Sequence, residues 1–171
     1  MPRKSQKDPQ IIQMLPQKMA VVTGKGAPDK VFAELMPALY GSVYTLKFDL
    51  KKQGLPTFKV CGLRARYPDA DIAPQGEWAH IIGLPVPEDV SSLPQKVPEV
   101  QVALETWQYG TMAQILHIGA YTEEEPTVER LMAFIDENDY EVSGVHEEEY
   151  LTSPDAKVVK TLIRYPVKKK C

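Results

Sequence analysis

Cysteine is scarce in this chain. Cys61 and Cys171 are the two it carries among 171 residues. That is too few for a disulfide framework, and neither sits in a Cys/His cluster with zinc-ligand spacing. No phosphate-cradling loop is present either, so the sequence calls for no metal and no cofactor. Cys61 falls in an apolar, strand-like run and reads as a buried small hydrophobe. A surplus of positive charge is also missing. Twenty Lys and Arg stand against 23 Asp and Glu, for a net charge of -3. A dedicated nucleic-acid binder is usually basic, so direct contact with nucleic acid is not expected. No apolar run approaches the roughly 18 residues that cross a bilayer. The basic start "MPRKSQKDPQ" is followed by no apolar signal-peptide core. The expectation is a cytoplasmic protein without membrane contact. Ser-His-Asp order and a Cys-His pair are lacking too, which sets aside the common nucleophilic hydrolases.

What is present is an ordinary globular balance, 43% hydrophobic and 25% charged. The length suits one domain, or two small units sharing a core. Residues 1–17 read as a mostly flexible tail and lead-in, and 18–171 as the folded domain. A strand is expected over about Lys18–Lys25, ended by Gly24 and Gly26. Val31, Phe32, Leu35, Leu39 and Val43 then fall at helical spacing, with Pro37 and Gly41 bending or interrupting the helix. "FKVCGLRARY" (Phe58–Tyr67) and "WAHIIGLPV" (Trp78–Val86) read as strands. "PEDVSSLPQKVPE" reads as a connector. Beyond it come two strand pieces around Tyr109-Gly110. Thr122 and Glu125 have capping-box spacing and announce a helix. "YEVSGVHEEEYL" (Tyr140–Leu151) and "KTLIRYPV" (Lys160–Val167) are the last strands.

The two halves repeat. "MAVVTGKGA" from Met19 matches "MAQILHIGA" from Met112, 93 residues on. "VCGLR" (Val60–Arg64) matches "VSGVH" (Val142–His146), and "IGLPV" (Ile82–Val86) matches "IRYPV" (Ile163–Val167). Three matches in order, with eleven residues of length change in the helical segment, favour internal duplication over coincidence. The expected fold is α+β: duplicated strand–helix–strand–strand units, about 18–87 and 100–168, related by pseudo-twofold symmetry. Antiparallel sheets and a central ligand cleft complete it. One such unit can hardly bury its apolar face alone, and junctions of paired units are common ligand sites.

"AQILHIGAYTEEEPTVERLMAFI", "HEEEYLTSPDA" and "KTLIRYPV" resemble the GyrI-like small-molecule-binding family. "ALYGSVYTLKF" in the first half is a looser match. The resemblance covers about Lys18–Val167. It implies the duplicated fold just described. It also implies kinship with effector-binding halves of multidrug-sensing regulators, and with stand-alone proteins, some of which hydrolyse cyclopropanoid genotoxins. In the drug-sensing members a Glu faces planar cationic ligands between aromatic rings, and by motif that residue is Glu148. Where many stand-alone members carry a tryptophan pair, this chain has Trp78 alone. With about ten residues ahead of the domain, a DNA-binding helix-turn-helix is not expected.

In a strand, His146, Glu148 and Tyr150 share one face and Glu147 and Glu149 the other. Residues alone also allow a solvated edge strand guarded by its acids. The resemblance points instead to Glu148 in the cleft. Tyr40 and Tyr44, one helical turn apart, read equally as packing or as a cleft wall. Tyr67 and Trp78 flank a loop and are candidates to roof the site. Tyr121 matches the family's tyrosine at the cleft mouth or helix entry. Glu123 to Glu125 read as acids at a helix N-terminus, and His117 as a structural histidine. The first expectation is a stand-alone protein binding planar hydrophobic, cationic ligands through Glu148, Tyr150, Tyr40, Tyr44, Tyr67, Trp78 and Tyr121. The alternative is a hydrolase opening cyclopropanoid genotoxins in the same cleft, with Glu148 catalytic. A protein partner, unspecified, is left open.

Overall fold

Short β-rich runs broken by glycine and proline, with two helical stripes between them, set the order of elements. In the computed structural model, which describes residues 7–70 and 72–171, the order is as follows. β1 (Gln10–Met14), β2 (Gln17–Lys25), α1 (Pro28–Lys52), β3 (Leu63–Arg66), β4 (Ala79–Pro85) and β5 (Ala103–Trp107) come first. β6 (Gly110–Ile118), α2 (Glu125–Glu137), β7 (Tyr140–Val142), β8 (Glu147–Tyr150) and β9 (Lys160–Lys169) follow. The fold is the expected α+β class, with antiparallel strands and two helices. The chain divides into two compact units. One is Pro16–Gln108, and the other is residues 7–15 together with Tyr109–Cys171.

Within Pro16–Gln108 the strands lie in the order β3-β4-β2-β5. Met19, Ala20, Val21 and Val22 of β2 and Ile82 and Leu84 of β4 are almost wholly buried. Helix α1 buries Val31, Leu35, Leu39 and Val43. Pro37 and Gly41, expected to bend or interrupt it, do not interrupt it. Pro37 sits on the exposed side. Each fully buried aliphatic side chain is worth roughly 1.5–3 kcal/mol, so the stripe outweighs the roughly 3 kcal/mol a helical proline costs. Phe58–Gly62 is not strand, and Cys61 is exposed rather than buried. It precedes β3 in a segment with no ladder to fold it inward.

In the other unit the order is β1-β6-β9-β8, with β7 also pairing β9. Leu131 and Ile135 of α2 pack on Ala113, Ile115, Ile163 and Val167. β1 lies inside the segment read from the sequence as lead-in. The expected single strand Tyr140–Leu151 is split into β7 and β8. At the break Gly144 lies against Pro166, where a Cβ would stand 2.9 Å from the rigid ring. The capping box at Thr122 does not form. Tyr121–Glu123 is a 3-10 turn, and α2 starts one residue after Glu124, with no side-chain cap.

The two units share a wiring pattern. Each holds strand, helix, strand, strand, and in each the last of these strands pairs with both others. β5 and β6 repeat the bounds of β1 and β2 shifted by 93 residues. Met19 faces Pro85, and Met112 faces Pro166. Arg64 faces Gly83 and Glu147 faces Arg164, so Glu147 is the counterpart of Arg64. The sequence match of Val60–Arg64 with Val142–His146 is therefore one residue out of register. This is a likeness of topology and not in itself a demonstration of duplication.

Candidate functional site

β8 is a strand whose two faces both carry acids, and each face treats them differently. On one face Glu147, 1% exposed, faces Arg164 across the ladder, and Arg164 faces Gln114 on β6. The Arg164 guanidinium donates to Glu147 Oε2 at 3.0 Å, Glu149 Oε1 at 3.1 Å and Gln114 Oε1 at 2.6 Å. The Tyr109 hydroxyl donates to Glu147 Oε1 at 2.8 Å. These acids are paired with a buried cation and accept hydrogen bonds, which is the condition for burying charge. The row is structural.

On the other face Glu148 lies opposite Ile163, on the side α2 covers. Its side chain is 10% exposed. The Tyr150 hydroxyl donates to Glu148 Oε2 at 2.8 Å. His146 Nε2 stands 3.4 Å from Oε1, an ion-pair distance more than a short hydrogen bond. His146 Nδ1 is 2.8 Å from the Tyr165 hydroxyl. The Tyr165 contact at Nδ1 holds the ring with Nε2 turned toward Glu148. The Tyr121 ring meets the Tyr150 ring edge to face at 5.6 Å.

Glu124 completes the group, and the sequence reading passed over it as one of three acids at a helix start. It stands at the head of α2, and its carboxyl shares a side-chain hydrogen bond with Glu148. Burial first, then that bond and the Glu148 charge, push Glu124 up to about 10. Burial opposes ionisation of Glu148. The neighbouring His146 and the bonds from Glu124 and Tyr150 outweigh it and hold Glu148 down at about 2. Between those values the pair holds one proton and one negative charge. Burial and the two carboxyls also raise the Tyr121 hydroxyl.

The structure thus brings Glu148, Tyr150 and Tyr121 together with Glu124, His146 and Tyr165. Tyr40, Tyr44, Tyr67 and Trp78 belong to the other unit. There Tyr40 and Tyr44 stack at 6.2 Å along α1, and Tyr44 continues to Phe48 at 6.3 Å. Tyr67 is buried against Trp78 and His80, with centroids at 5.7 and 5.3 Å. The Trp78 indole donates to the Ala73 carbonyl at 2.9 Å, which ties down the loop before β4. His117 is held between Thr127 Oγ1 at 2.7 Å and the Ala120 carbonyl at 2.9 Å, a structural histidine at the base of the 3-10 turn. Among the described residues no group of three or more His, Cys, Asp or Glu could hold a metal ion. No helix among them is long and apolar enough to cross a membrane.

Several solved structures share this fold. A hydrolase from Listeria innocua matches at 23% identity and a TM-score of 0.81, over 97% of this chain and 94% of that one. An uncharacterized conserved protein from Listeria innocua matches at 23% identity and 0.82, over 95% and 93%. The C-terminal domain of EcmrR matches at 13% identity and 0.67, over 95% and 98%. At these identities the likeness is one of fold. No curated protein matches the chain. The model of the GyrI-like small molecule binding domain matches residues 7–168. The strand carrying Glu148, the helix that follows Glu124 and the fold around them are all within that span, and the chain belongs to the GyrI-like small-molecule-binding domain family.

Proposed function

We propose that the protein binds planar, hydrophobic, cationic small molecules at Glu148. The observation that supports this is a nearly buried carboxylate beside two tyrosine rings, with Tyr121 still 40% exposed. A charge held in so little water attracts a cation more strongly than one at the surface. Tyrosine faces add cation–π attraction and stacking for a flat ring. The membership in a small-molecule-binding family points the same way. Tyr40, Tyr44, Tyr67 and Trp78 enter this reading as further ligand-binding aromatics, to be tested one by one.

A second reading, hydrolysis of cyclopropanoid compounds, is favoured by one feature. Glu148 has a tyrosine hydroxyl 2.8 Å from one oxygen and a protonated carboxyl beside it. Glu148 would take a proton from water as the water oxygen bonds to a ring carbon. The breaking ring bond would send its electron pair to the adjoining carbonyl, and an O–H donor would protonate that oxygen. Two solved structures of the same fold from Listeria innocua are described as those of a hydrolase.

The test is to incubate the protein with ethidium and with a cyclopropanoid compound, following thermal shift and product mass together. Stabilisation without product supports binding alone, and ring-opened product that vanishes in Glu148→Gln supports hydrolysis. Glu148→Gln is expected to weaken ethidium binding about tenfold, the effect of roughly 1.4 kcal/mol. If it changes no affinity and no rate, Glu148 is not the site.

A further inference from the structure

Two carboxyls joined by a side-chain hydrogen bond must hold a proton between them, because two ionised carboxylates offer acceptors and no donor. Glu124 and Glu148 are such a pair. They come from different elements, the head of α2 and the strand β8. Glu148 has partners on both oxygens, whereas Glu124 Oε1 is buried with no hydrogen-bond partner. Tyr121 of the 3-10 turn and His146 and Tyr150 on the β8 side face the pair. Tyr165 of β9 stands behind His146, and His117 of β6 is tied to Thr127 and Ala120. Glu123 and Glu125 flank Glu124 along the chain and are exposed. The charge the pair presents is therefore set by its proton: one negative charge with it, two without.

On the cation-binding reading above, we propose that Glu124 matches the charge of the site to that of its ligand, the pair keeping its shared proton for a planar monocation and releasing it to solvent for a planar dication. Without a second positive charge, a deprotonated Glu124 would be a half-buried carboxylate with an unpaired oxygen beside another carboxylate, which is costly. A dication removes that cost at the same spot. The direction of the Glu124 shift agrees. The pair keeps one proton through neutral pH, so a proton is there to be released. The sign follows from linkage. Binding that releases a proton strengthens as pH rises, by about tenfold per pH unit for one full proton, until the pH reaches the carboxyl's own value. Binding that releases none is flat.

Ethidium and propidium make the comparison direct, since they share one planar ring system and differ by one positive charge. Each is titrated calorimetrically into the full chain between pH 6 and pH 8, in buffers of different ionisation enthalpy, which counts protons released. Ethidium is expected to release close to none. Propidium is expected to release close to one, with an affinity rising about tenfold per pH unit. In Glu124→Gln, whose amide can still donate to Glu148, proton release should vanish and the propidium-to-ethidium ratio should stop rising with pH. Thermal unfolding of the variant shows that it is folded. If both dyes bind and propidium releases no proton, or if release persists in Glu124→Gln, the charge-matching role is wrong while cation binding stands. If neither dye binds the folded wild-type chain, the cation-binding reading itself fails.

Discussion

Arg164 shows what a buried charge needs at the scale of one residue. Its guanidinium reaches Glu147, Glu149 and Gln114, and Glu147 is 1% exposed. Arg164→Met should take the buried cation away from Glu147 and cost about 3–5 kcal/mol. Adding Glu147→Leu should recover much of that, because an apolar pair of similar size needs no solvation. Urea unfolding of both variants checks this, and equal loss in the single and double variants would show that Arg164 acts otherwise. Strand alternation set Glu147 and Glu149 on the face away from Glu148, but nothing local marked Arg164 as their partner. The face that Glu148 takes was legible through the alternation of a strand. Glu124 was not, because acids before a helix are common and most of them only complement its dipole. Its role depends on a carboxyl 24 positions away in the chain, and nothing local marks that contact.

Elements were legible where a pattern was long. The stripe of α1 and the β-rich β6 and β9 could be placed within a few residues. β1 could not, since "QIIQM" is short and follows a polar tail, and only its pairing with β6 makes it a strand. Capping chemistry misled for a similar reason. Thr122 fits a cap by spacing, but the chain makes a 3-10 turn there and the helix starts later. Pro37 offers a test at this scale. It lies inside α1 on the exposed face, and having no N–H it leaves the carbonyl of Ala33 without its helical donor. Pro37→Ala should stabilise the protein by about 2 kcal/mol. That is the roughly 3 kcal/mol of a helix-interior proline, less the unfolded-state entropy that proline removes. A lower melting temperature in the variant would mean that α1 needs its proline.

Across the whole chain, the two units trade strands. β1 runs directly into β2 but pairs with β6, and β5 runs directly into β6 but pairs with β2. The 93-residue spacing visible in the sequence carries over to all four of these strands, although the sequence alone suggested it only for β2 and β6. The trade separates the order of the chain from the order of the fold. One unit is continuous, whereas the other is assembled from both ends. If the ends are joined and the chain is opened before Pro16, each unit becomes one unbroken stretch. β1 and β9 flank the same strand β6, so the ends to be joined lie about 20 Å apart by strand geometry. The eleven residues between Lys169 and Gln10 in the joined chain reach about 35 Å when extended. The circular permutant starting at Pro16 should fold and unfold cooperatively, within about 2 kcal/mol of the original by urea titration. A permutant that stays unfolded would show that the β1–β2 link is needed to fold. A folded one would mean that this architecture can be written as a gene in two orders, with the present one keeping the first strand at the far end from its own unit.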